Sequence, residues 1–241
     1  MARSLAQIIL HSLNNADGSA TYTAPNNTHT VIAGVNFPVE VPYRSDEIPN
    51  STFIEVNLRP HSGVAMVKER HVEFLVKQTL QSIVRIEETP RLMLQVTLQM
   101  ASTETDEDLP GGVKDRGQGE TYLPVLASAL NAAILGCLDS AVRMKQIAGA
   151  ALIAIKHDGT LVENPKVVER KKCRSLHVFA FTATGEVILM QSEGPFSMEE
   201  WTSAQKLARR LVVDMGDTSL LGVMRRAVEA GARSKQRWKG E

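Results

Sequence analysis

Residues 120–143 read ETYLPVLASALNAAILGCLDSAVR, and this stretch decides how the chain must fold. From Val125 onward, Leu126, Ala129, Leu130, Ala133, Ile134, Cys137, Leu138, Ala141 and Val142 recur at helical spacing. The other side carries Ala127, Ala132 and Gly136, which are small rather than charged. A helix apolar or small nearly all round has no side to give to water, so the rest of the chain must wrap it. Its first turn bears on chemistry. Unpaired N–H groups and the positive end of the helix dipole make that end a natural place for an anion. Whether it holds one separates an enzyme from a scaffold.

The rest of the composition is that of an ordinary globular protein. The chain has 241 residues, 43% of them hydrophobic, with 27 basic and 27 acidic side chains. Zero net charge argues against a strongly basic nucleic-acid binder, although a neutral chain can own a local basic patch. The two cysteines, Cys137 and Cys173, form neither a disulfide framework nor a metal motif and read as reduced structural thiols of an intracellular protein. No run reaches the ~18 apolar residues of a membrane span. The N-terminal MARSLAQIILHSLNNADGS has no cleavage signal and reads as mature sequence. Without a secretory signal, the glycosylation-type triplets at Asn26 and Asn50 read as chance.

Upstream of the buried helix, Ala16-Asp17-Gly18-Ser19 is a turn, and Ala20–Tyr22 and Thr30–Val35 are predicted strands around a polar hairpin at Pro25–Thr28. Pro38, Pro42 and Pro49 mark a loop. In Thr52–Arg59, Ile54, Val56 and Leu58 alternate with Glu55, Asn57 and Arg59, the pattern of a half-buried strand. Val64–Ile86 is predicted as a helix with Val72, Leu75, Val76, Thr79, Leu80, Ile83 and Val84 on one stripe. Leu92–Met100 alternates cleanly as a strand. The segment 102–120 is polar, with Glu104, Asp106, Glu107 and Asp108 ahead of Pro110-Gly111-Gly112. It lacks the fixed ligand order of a calcium loop and reads as a solvated loop.

Downstream, Ile147–Ile155 is predicted as a buried strand, and Leu161–Cys173 is polar around Pro165. Ser175–Thr182 and Glu186–Gln191 flank Ala183-Thr184-Gly185 as a hairpin. Ser197 and Glu200 form a capping box, and Phe196 with Trp201 fits a hydrophobic staple at the start of the last helix. Residues 225–241 are a basic tail, helical at first, with Arg225, Arg226, Arg233, Lys235, Arg237 and Lys239. The expected organisation is α+β, mixed sheets around a central buried helix with further long helices. The expected parts are 1–145, 146–225 and the tail 226–241.

This order of elements resembles the RNase PH family, in particular its eukaryotic exosome-ring branch. Ala16-Asp17-Gly18-Ser19-Ala20 and Asn27-Thr28-His29-Thr30-Val31-Ile32-Ala33-Gly34-Val35 are similar to that family's opening hairpin. Leu58-Arg59-Pro60-His61-Ser62-Gly63 is similar to the strand end used by the exosome branch. Leu130-Asn131-Ala132-Ala133 and Leu138-Asp139-Ser140-Ala141 match its central helix, and Glu193-Gly194-Pro195-Phe196-Ser197 matches the approach to the last helix. The resemblance covers about residues 10–225. The 102–120 loop looks like an insertion relative to the bacterial enzymes.

Family enzymes cut RNA from the 3′ end with inorganic phosphate. That chemistry asks for an anion pocket with an Arg fork and acidic groups for a divalent ion or a proton. The resemblance places the family's phosphate-binding Gly-Thr-Arg on Pro124, Val125 and Leu126, and a second Arg on Lys68. Lys keeps the charge but loses the bidentate geometry. The acidic cluster falls in LVENPKVVERKKCR, where Glu163 and Glu169 stand among Val162, Asn164, Pro165, Val167, Val168 and the basic run Arg170-Lys171-Lys172.

The resemblance therefore implies a subunit with no catalytic residues, no metal site and no cofactor. It implies other RNase PH-like exosome subunits as partners, in a heterodimer and a six-membered ring, together with exosome cap proteins. It also implies single-stranded RNA threading the ring, no membrane, and residence in nucleus, nucleolus and cytoplasm. Lys68, Arg70 and Arg91 are the candidate RNA contacts. The alternatives are an active phosphate-dependent 3′ exoribonuclease and a homodimeric nucleic-acid-binding protein outside any ring.

Overall fold

The computed structural model describes residues 5–44, 47–104 and 121–235. The carboxylates of 106–108, the Pro-Gly-Gly turn and the last residues of the basic tail lie outside them.

Among the described residues the chain makes two sheets with helices between and around them. The first sheet holds β1 (Gln7–Leu10), β2 (Gly18–Thr23), β3 (His29–Glu40), β4 (Phe53–Arg59) and β5 (Leu92–Thr103), in the order β1-β2-β3-β5-β4. Its pairs are antiparallel except β4 with β5, which run parallel because α1 (Val67–Ile83) carries the chain back between them. The second sheet holds β6 (Ala148–Lys156), β7 (Leu161–Glu163), β8 (Cys173–Thr182) and β9 (Val187–Glu193), all antiparallel, in the order β7-β6-β8-β9.

The stretch quoted first forms α2 (Leu123–Asp139). It packs on β2 and β3 of one sheet, on β6 and β8 of the other, and on α1. Leu126, Ala129, Leu130, Ala132, Ala133, Ile134, Leu135 and Cys137 are all fully buried. Contact on both sides explains the absence of any charged stripe. Burial also pushes the Cys137 thiol up to about 12, so it stays protonated. Beyond the second sheet, α4 (Met198–Arg209) lays Ala204 and Ala208 against Ile153, Ile155, Phe179 and Phe181. With α2 on one face and α4 on the other, β6 and β8 read as nearly continuous apolar runs.

Two buried polar side chains fix the helices to the strands. Asn131, in the middle of α2, accepts the Ala150 N–H at 2.8 Å and donates to the Ala150 carbonyl at 2.9 Å and the Tyr22 hydroxyl at 3.2 Å. Strand β7 reaches only as far as Ile153, so Asn131 supplies the partner that β6 lacks there. Glu73 on α1 accepts the N–H of Leu58 on the edge strand β4 at 2.7 Å.

The predicted capping box is present: Ser197 N–H donates to Glu200 Oε2 at 2.8 Å and Glu200 N–H to Ser197 Oγ at 3.2 Å. Phe196 and Trp201 each reach β8, stacking edge-on against His177 and Phe179. Some elements differ from the sequence expectation. Gln7–Leu10 is a strand, too short to show alternation alone but paired along β2. The polar run after β6 contains β7 and a short helix, α3 (Val167–Lys171). The tail's first residues extend α5 (Leu220–Lys235), which rests on β1 with Gly231 against Leu10.

Candidate nucleic-acid interface

The N-terminal end of α2 is built from three elements. Leu123 and Leu126 are fully buried, Pro124 is buried and Val125 is half-buried. Leu126, where the resemblance would place a phosphate-binding Arg, is an apolar side chain inside the core. Tyr122, the residue before the helix, offers no side-chain cap. Thr121 Oγ1 instead accepts the Leu123 N–H at 3.2 Å.

Tyr122 packs edge-on against His71 of α1, with ring centroids 4.9 Å apart and planes at 85°. Its hydroxyl donates to Gln191 Oε1 of β9 at 3.4 Å. Burial, and then the negative charge of Glu193, raise the Tyr122 hydroxyl above its ordinary value. The Glu193 carboxylate therefore lies on the Tyr122 side of β9. Gln191 and Glu193 are two residues apart on β9 and leave it on the same side.

Lys68 is half-buried, one turn before His71 on the same flank of α1. Arg70 is exposed and turned the other way, its Nη1 donating to Glu73 Oε2 at 3.0 Å. Arg91 is exposed and has φ 67°. Its N–H bonds the carbonyls of Ile48 and Ser51, and its Nε lies 3.5 Å from Glu47 Oε1. The structure does not bring the three together. Lys68 and Arg70 follow the end of β4, whereas Arg91 precedes the start of β5, roughly 20 Å away along the parallel strands.

The two carboxylates of the acidic run are also placed. Glu163 ends β7 opposite Ile153, and Glu169 Oε2 accepts the Lys166 N–H at 3.1 Å, capping α3. Among the described residues no group of three metal-binding side chains gathers, and no helix is long and apolar enough to cross a membrane. Beside α3, His29 of β3 is 2% exposed and neither ring nitrogen has a hydrogen bond. Burial, reinforced by the Arg170 charge, pushes it down to about 3. His71, Tyr122, Gln191 and Glu193 escaped the sequence reading. They come from three separated segments, and a lone ring on the polar side of a helix gives no periodic signal.

Comparisons with known proteins give the family. Residues 5–143 match domain 1 of the 3′ exoribonuclease family and residues 150–210 match its domain 2, the RNase PH domains. The chain is 26% identical over 205 residues to the exosome complex component RRP46 of Saccharomyces cerevisiae, covering 82% of this chain and 86% of that protein. It is 26% identical over 192 residues to the exosome complex component rrp46 of Schizosaccharomyces pombe, covering 78% and 76%. The crystal structure of rice (Oryza sativa) Rrp46 superposes with a TM-score of 0.75 at 22% identity, over 94% of this chain and 96% of that one. The resemblance read from the motifs is therefore a membership: this chain belongs to the 3′ exoribonuclease family, with the α+β RNase PH fold.

Proposed function

We propose that this chain is a non-catalytic ring subunit of an RNA exosome. It supports 3′-to-5′ RNA processing and decay, including rRNA maturation, RNA surveillance and mRNA turnover. It pairs with another RNase PH-like subunit, enters a six-membered ring beneath cap proteins and helps line the channel for single-stranded RNA. It works in the nucleus, nucleolus and cytoplasm. The observation that carries this reading is Leu126, wholly buried where an active enzyme needs an Arg at the surface of the phosphate pocket. The names of the yeast relatives support the assembly, and the capping role of Glu169 supports the loss of a carboxylate cage.

Lys68 and Arg70 are the basic contacts for the RNA backbone at the α1 end of the sheet, and Arg91 serves a separate surface. The purified chain, given 3′-labelled RNA, inorganic phosphate and Mg²⁺, is expected to release no nucleoside diphosphates. Release abolished by a substitution in this chain would overturn the reading. The chain is also expected to co-purify with ring partners at equal stoichiometry.

A further inference from the structure

The end of α2 that has lost its phosphate-binding side chain is not bare. It carries the His71 and Tyr122 rings at right angles, one from α1 and one from the residue that precedes α2. His71 is exposed and Tyr122 half-buried, so the pair has a braced side and a solvent side. Lys68 lies one turn before His71, and Phe74, 54% exposed, lies three residues after it. Aromatic faces beside cations make a platform for unpaired bases. Across the mouth, Gln191 bonds the Tyr122 hydroxyl and Glu193 places a negative charge near it. A carboxylate repels a phosphate but accepts hydrogen bonds from base amino groups and ribose hydroxyls. The chemistry has turned from anion binding to nucleoside binding.

We propose that His71 and Tyr122 form a stacking site for one unpaired base of single-stranded RNA, with Gln191 and Glu193 accepting hydrogen bonds from that nucleoside. This deepens the proposed function and rests on it. The four side chains hold a base where family enzymes hold phosphate, so RNA passes this subunit gripped but uncut. Stacking tolerates any base, because every base has a π face.

The test uses the full chain in its assembled complex with single-stranded RNA carrying 5-iodouridine, irradiated and mapped by peptide mass spectrometry. Adducts are expected on His71 or Tyr122. With the full chain and short oligonucleotides, His71→Ala is expected to weaken binding about fivefold or more, in line with the loss of one stacked base. An abasic oligonucleotide of the same length should lose nothing. A thermal melt of His71→Ala that coincides with that of the parent chain guards against a folding defect. Equal weakening of base-containing and abasic RNA, or adducts confined to other residues of this chain, would overturn the stacking site while leaving the RNA reading intact. Adducts on ring partners and none on this chain would overturn both.

Discussion

The two ends of α2 have been built to opposite purposes. At the C-terminal end the helix is tied to the first sheet. Asp139 Oδ2 accepts the Ser19 N–H and the His11 Nδ1–H, each at 2.9 Å. Gly18 passes so close that an added Cβ would sit 2.3 Å from the Ser140 nitrogen, and one on Gly136 would sit 2.8 Å from Val35. At the N-terminal end Thr121 Oγ1 meets one first-turn N–H, and the nearest partners are a half-buried tyrosine, an exposed histidine and an acidic strand edge. The first end holds the fold and tolerates little. The second is closed below by Leu126 and lined above by rings. One helix can therefore hold the fold at one end and leave its other end open to the surface.

The largest effect should come from placing a charge at the closed end of α2. Leu126→Arg places an unpaired charge in the core and is expected to destabilise the protein by about 4 kcal/mol or more, without creating phosphorolysis. Denaturant unfolding together with the phosphate-dependent assay would show both. Breaking the tight end comes next: Gly18→Ala should cost about 3 kcal/mol, because the clash is with backbone that cannot rotate away. Asn131→Ala strands the Ala150 N–H and carbonyl and should cost about 2 kcal/mol in the same unfolding experiment.

Acid tests the sheets flanking α2 rather than its ends. Burial holds His29 at about 3 and His177 at about 4, the latter with both ring nitrogens on the Ser175 and Ser192 hydroxyls. The unfolded chain takes up these protons near pH 6.5. Both histidines are neutral in the fold, so their contribution is whole above that pH and shrinks below it. The loss is complete only under about pH 4 for His177 and about pH 3 for His29. Thermal melts should lose on the order of 1 kcal/mol per histidine by pH 5.5. Replacing either histidine with an apolar residue should flatten that slope. The smallest effect belongs to the open end: Tyr122→Phe removes one long hydrogen bond at the surface and should change stability by less than about 0.5 kcal/mol.

Much of the fold was legible because burial leaves periodic marks. The apolar circumference of α2, the alternation of β4 and β5, and the Ser197 capping box are local patterns, and each appears where its residues predicted. Strand β1 and helix α5 were harder, since each packs on the other and β1 takes its register from β2. The candidate site was legible only by subtraction. Pro124, Val125 and Leu126 show only that the mouth of α2 carries apolar residues, whereas Lys68, Arg70 and Arg91 appear in the sequence as equal charges. In the fold Glu73 holds Arg70 away from Lys68, and Arg91 sits at the far end of the sheet.

By itself the sequence determined that one helix must be wrapped, which strands are half-buried, and which residues stand where the resemblance places the phosphate pocket. Those follow from hydrophobic spacing and residue identity, which act over a few residues. Only the tertiary structure decided that the end of α2 faces α1 and β9 and so gathers His71, Tyr122, Gln191 and Glu193 at one mouth. They lie on separate segments, and nothing short of the packed core brings them within reach of one another.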